Sequence, residues 1–168
     1  MAERRFAVNG RVLRYSGSFS LTEMYNVIDG FFQENKFSGA MEVEHMEKIT
    51  KDKKQIEIVY NPSKKFNNFT KLEVRLIITI EGLKRKVVDV DTKKTELDEG
   101  DVELIFDGII TTDYEKREEN NPSFFFLSDI KNKLIFRYKH DAEEKAITGY
   151  VQDLYSKLRD YLYHQKRV

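Results

Sequence analysis

The sequence predicts an α+β fold: an antiparallel β-meander sheet with one early helix and two C-terminal helices packed on one face, in one domain over residues 1–168. Three observations predict it. Apolar residues alternate with polar ones at a period of two from Gly39 to Tyr114. Before and after that region they recur at helical spacing. The connections between the alternating runs are short, which suits antiparallel neighbours.

The first alternating stretch, RFAV-NG-RVLRY, contains Asn9-Gly10. That pair supplies the positive φ angles of a two-residue turn, so Phe6 to Val8 should pair with Arg11 to Leu13 as a hairpin. The second strand continues to Phe19, with Leu13, Tyr15, Gly17 and Phe19 on one face. Ser20-Leu21-Thr22-Glu23 is a capping box, and Phe19 and Met24 are placed for a hydrophobic staple across it. Leu21, Met24, Tyr25, Ile28, Phe31 and Phe32 then form one broad apolar stripe of a helix.

From Gly39 the pattern is that of strands. Met41, Val43 and His45 alternate with glutamates, and Ile56, Ile58 and Tyr60 follow. Leu72, Val74, Leu76, Ile78 and Ile80 alternate most regularly, with Glu73, Arg75, Thr79 and Glu81 outward. A turn at Gly82 leads to Val88 and Val90. Asp98-Glu99-Gly100 turns the chain again into a long strand from Val102 toward Tyr114, bent or bulged at Asp107-Gly108.

The stretch NNPSFFFLSDIKNKLIFRY, residues 120–138, loses its alternation past Leu127 and reads as a helix. Asn121 caps it and Pro122 takes the first position, where a missing donor costs nothing. Phe124, Leu127, Ile130, Leu134, Ile135 and Tyr138 fall on one side at 100° per residue. Phe125 and Phe136 fall on roughly the opposite side, about 16 Å apart along the axis. A last helix is expected from Asp141, with Glu144 as its cap partner and Ile147, Val151, Leu154, Leu158 and Leu162 as its stripe.

Composition excludes several classes. Twelve Phe and nine Tyr in a chain that is 40% hydrophobic argue against disorder, although 35% of residues are charged. Twenty-nine basic and 29 acidic residues cancel, so no long-range field draws in nucleic acid or an anionic membrane. With no cysteine there is no disulfide, thiolate nucleophile or cysteine zinc site. No apolar run approaches the ~20 residues that span a bilayer. The charged start MAERRFAVNG has no signal-peptide core behind it, so the expected location is cytoplasmic.

The element order partly resembles the helix-grip fold of START-like proteins, from which an extra helix before the last departs. The residues Tyr15-x-Gly17-x-Phe19, Met24-Tyr25-x-x-Ile28-Asp29-x-Phe31-Phe32, Gln55-Ile56-x-Ile58, Phe106-Asp107-Gly108, Thr112-Asp113 and Phe125-Phe126-Leu127 resemble a family of small uncharacterised archaeal proteins with no assigned activity. The resemblance covers most of the chain. It implies an archaeal, intracellular origin and transfers no catalytic residue.

Motifs for chemistry are sparse. Asp107 and Asp113 would stand roughly 20 Å apart on one strand face, too far to act on one bond. Asp89 and Asp91 would be about 6 to 7 Å apart, but Thr92, Lys93 and Lys94 follow where a calcium loop needs further ligands. His45, His140 and His164 are dispersed, and His45 beside Glu47 is read as a surface pair. No nucleophile elbow, phosphate loop or dinucleotide fingerprint occurs. The reading therefore leans away from an enzyme, with no catalytic residue, cofactor or metal expected.

Two binding surfaces remain. Phe125 and Phe136, if the core takes the Leu127 side, are left for self-association or a protein partner, which makes a non-catalytic binding or assembly role through the C-terminal helical face the first reading. Lys64, Lys65, Phe66 and Phe69 interleave cations and rings as a single-stranded nucleic-acid site would. The balanced charge weighs against that alternative. A small apolar ligand held between sheet and helices is the other alternative, tested by whether that space is hollow or filled.

Overall fold

The alternating runs pair into one antiparallel sheet in which the strands that begin at Glu3, Lys53, Thr70 and Lys93 each bury an apolar row on the same side. In the computed structural model the described residues are 3–39, 44–50, 53–90, 93–112 and 124–165; the side chains of 44, 45, 47–50, 53, 88, 90, 93, 124–140 and 165 stand outside that description. The elements are β1 (Glu3–Phe19), α1 (Leu21–Glu34), β2 (Glu44–Thr50), β3 (Lys53–Tyr60), β4 (Ser63–Lys65), β5 (Thr70–Val90), β6 (Lys93–Thr112) and α2 (Phe124–Gln165). Strand order is β1-β6-β5-β3-β2, with β4 pairing onto β5. The meander of β2 to β6 is thus closed at one side by the first strand, which runs antiparallel to the last.

One face of the sheet is the core. Leu13, Tyr15 and Phe19 of β1, the even-numbered Leu72 to Ile80 of β5, and Val102, Leu104 and Phe106 of β6 are buried beneath the helices. Met24, Ile28, Phe31 and Phe32 pack down from α1, and Ile147, Val151, Leu154, Leu158 and Leu162 from α2. Ser20 caps α1 by accepting the Glu23 amide at 3.3 Å. Phe19 and Met24, the expected staple, are both fully buried.

Three expected turns lie inside long strands, two of them as register shifts. Asn9-Gly10 does not reverse the chain: Arg5, Phe6 and Val8 pair with Ile110, Ile109 and Gly108, and Arg11 resumes opposite Phe106. Gly10 does take the positive φ its sequence signalled, +69°, but uses it in a bulge. A hairpin there would have pulled half of β1 from the β6 ladder. Gly82 likewise sits at a register shift between Glu81 and Lys84 within β5. Asp98-Glu99-Gly100 runs straight through β6, where the Asp98 carboxylate accepts the first amide of α1, that of Leu21, at 3.1 Å. The irregularity expected at Asp107-Gly108 lies in the facing strand β1, since β6 pairs evenly with β5 through both residues.

The two C-terminal helices are one. α2 runs unbroken for 42 residues, about 63 Å at 1.5 Å per residue. Tyr138-Lys139-His140-Asp141 contains neither Gly nor Pro, so nothing interrupts the hydrogen-bond ladder, and the cap-like pair Asp141/Glu144 is simply helix interior. Gly108 lets this helix approach: a Cβ there would lie 3.0 Å from Ile147 Cγ1 and 3.2 Å from Val151 Cγ2.

The C-terminal end of α2 is tied to the start of α1 by Tyr161. Its hydroxyl donates to the Ser20 carbonyl at 2.9 Å and accepts the Ser20 amide at 3.1 Å. Burial pushes this phenol up from 10.0 to about 12; the Glu23 carboxylate adds to the rise and the Ser20 hydrogen bond opposes it. A raised phenol favours the fold fully below pH 10, and the contribution is lost as pH climbs toward 12. Thermal melts from pH 8 to 12 should therefore show the melting temperature falling above pH 10, and falling less in Tyr161→Phe. Parallel curves for the two proteins would remove this role.

Candidate functional site

Among the described residues, the layer between sheet and helices is occupied by closely packed side chains. Phe19, Phe31, Phe32, Phe106, Met24 and Ile28 are among its fully buried side chains, in one contiguous cluster. Rings interlock edge to face at Phe31–Phe32 (5.5 Å), Phe32–Phe37 (5.6 Å) and Phe37–Tyr150 (5.1 Å). The surface is where a site must be sought.

The lysine–phenylalanine segment divides in two. Lys64 points into the fold, where its ammonium donates to the Asn35 carbonyl at 2.8 Å and the Tyr150 hydroxyl at 2.9 Å. It latches α1, β4 and α2 together, with its ammonium engaged inside the fold. Lys65, Phe66 and Phe69 are exposed, the rings by 41% and 50%. Their loop is rigidly built: Asn67 Oδ1 accepts the amides of Phe69 and Thr70, each at 2.8 Å. Glu143 of α2, itself buried, accepts the Thr70 hydroxyl at 2.7 Å and the Asn67 side-chain amide at 3.3 Å. Thr70 pairs with Thr112 and Thr112 with Glu3, so Glu143 is pinned at the last rung of the three longest strands.

Phe125 and Phe136 lie in the first half of α2, and their side chains fall outside the described residues. The same holds for His45, Glu47 and His140, while Met41, Val43, Asp91 and Asp113 are not described. Asp89 is exposed opposite Lys94, as a solvated face would be. Among the described residues no group of His, Cys, Asp or Glu is arranged to hold a metal ion, and no helix is long and apolar enough to cross a membrane.

The outer face of the sheet holds a surface that sequence reasoning missed. Register aligns Val12, Ile105, Ile77 and Val59 as one row across four strands, with Val12 exposed and the others half-buried. Beside it stands the row Arg14, Glu103, Thr79 and Glu57, and beyond that Ser16, Asp101 and Glu81. Arg14 pairs with Glu103 at 2.6 Å, and the Ser16 hydroxyl donates to Asp101 at 2.5 Å. Arg14, Ser16, Thr79, Glu81, Asp101 and Glu103 line a concavity of about 480 Å³. Three carboxylates, Glu81, Asp101 and Glu103, thus share this concavity with the Arg14 guanidinium. The clue in the sequence was Ile77, an apolar residue in the otherwise polar outward phase of β5.

No family model matches the chain, and no curated protein matches it in sequence. Among solved structures it is similar to a protein of unknown function, SA2116, from Staphylococcus aureus, at 12% identity over 99% of this chain and 98% of that one, with a TM-score of 0.32. A likeness of that size bears on neither fold nor function.

Proposed function

We propose that the protein is a non-catalytic binding or assembly protein that works through the first half of α2, with Phe125 and Phe136 at the contact. The observation that carries this reading is the placement of α2. Glu143 is held at the end of the sheet and Tyr161 at the other, so the packed part of the helix spans the sheet between them. The residues before Glu143 continue the same helix to Phe124, nearly 30 Å further at 1.5 Å per residue, past the last rung. A helical extension carrying Phe124, Phe125, Phe126 and Phe136 is the kind of apolar surface that partners cover. The contiguous buried cluster of the described residues favours this reading over a small-molecule carrier. Single-stranded nucleic acid would meet Phe66 and Phe69 with Lys64 withdrawn from it.

Sedimentation of the wild type and a Phe125→Asp/Phe136→Asp variant tests the self-association form of the proposal. The wild type should sediment above its 19.9 kDa chain mass and the variant at it. Two folded species of identical monomeric mass would end that form.

A further inference from the structure

We propose that residues 124–140 of α2 dock on the outer sheet face of a second copy of this chain, reciprocally, forming a two-fold dimer. The inference rests on the assembly reading and names the surface that receives the helix. Three observations carry it.

The first is charge. Residues 124–140 contain Lys131, Lys133, Arg137 and Lys139 against one carboxylate, Asp129. The concavity on the outer face presents the inverse, Glu81, Asp101 and Glu103 against Arg14. A chain of zero net charge thus carries a cationic helical segment and a locally acidic concavity, and such complementarity steers encounter and fixes register.

The second is apolar pattern. The row Val12–Ile105–Ile77–Val59 crosses four strands, about 14 Å at the usual strand spacing. Phe6 and Met46, 47% and 50% exposed, stand on the same face at its borders. A helix laid along that row would set an apolar stripe on the aliphatics and its cations toward Glu103 and Glu57 on one flank.

The third is reach. The same copy's helix cannot turn onto this face, because α2 is continuous and Glu143 holds it to the opposite side of the sheet. A second copy can supply it. In a two-fold arrangement each copy gives one helix and one face, so every contact is made twice.

The test uses two variants of the full chain, Ile77→Asp on the face and Lys133→Glu/Arg137→Glu on the helix, both checked for folding by circular dichroism melts. The wild type should be dimeric at micromolar concentration, with a dissociation constant that rises with salt. Each variant alone should bind itself at least roughly thirty-fold more weakly. An equal mixture of the two should recover a heterodimer, because one intact helix still meets one intact face. If the helix variant is monomeric while Ile77→Asp dimerises like the wild type, the docking face is wrong and the assembly reading survives. If the wild type is monomeric throughout, this inference and the self-association form of the proposed function both fall.

Discussion

Phe106→Ala should lower the unfolding free energy by about 3–5 kcal/mol, the usual cost of emptying a fully buried phenyl site. Phe106 lies on the core face of β6, between Leu76 of β5 and Arg11 of β1. Its ring meets Tyr155 of α2 edge to face at 5.5 Å, and the Arg11 guanidinium lies 3.9 Å from the centre of that same tyrosine ring. Removing the phenyl leaves a cavity in the middle of the sheet–helix layer, where the ladder on either side prevents collapse. The melting temperature should fall on the order of 10 °C. Urea unfolding measures the loss; a change below 1 kcal/mol would show that this part of the interior is loosely packed.

Asp107→Ala should cost about 2–4 kcal/mol, although Asp107 sits on the outward side of β6. Its carboxylate is only 2% exposed. Oδ1 accepts the Gly10 amide at 2.6 Å, and Oδ2 accepts Arg75 Nε at 2.8 Å and Nη2 at 2.6 Å. Alanine would orphan the amide at the bulge and leave a guanidinium without its counter-charge. The Arg75 side chain is 36% exposed and can recover water, which keeps the cost below that of a fully buried pair. Asp107→Asn keeps an acceptor but no charge and should lose about half as much. Hydrogen exchange at Gly10 should accelerate in both variants; an unchanged rate would mean that pairing with β6 holds the bulge without the carboxylate.

These two neighbours also show where sequence reading works and where it stops. Phe106 belongs to an alternation legible in the sequence, as do the even-numbered Leu72 to Ile80; these are buried, and so are Met24, Ile28, Phe31 and Phe32 of the α1 stripe and the Ile147 to Leu162 stripe of α2. Asp107 was read as half of a remote carboxylate pair. Its real partners, Gly10 and Arg75, are 97 and 32 residues away. Lys64 carried the signature of a solvated or phosphate-binding lysine, and only the folded chain brings Asn35 and Tyr150 to it. The outer row of Val12, Ile105, Ile77 and Val59 draws one residue from each of four strands, so no local window contains it.

The sequence by itself determined which segments wind and which extend, because period and capping are set by backbone geometry and by neighbours a few residues away. Tertiary structure alone decided what the glycines at positions 10 and 82 do, since a positive φ serves a turn and a bulge equally well and the facing strand selects between them. It likewise decided that the C-terminal segments are one rod and which side chains meet across the sheet. Register is an agreement between distant residues, and the free energy that chooses it belongs to the whole buried layer.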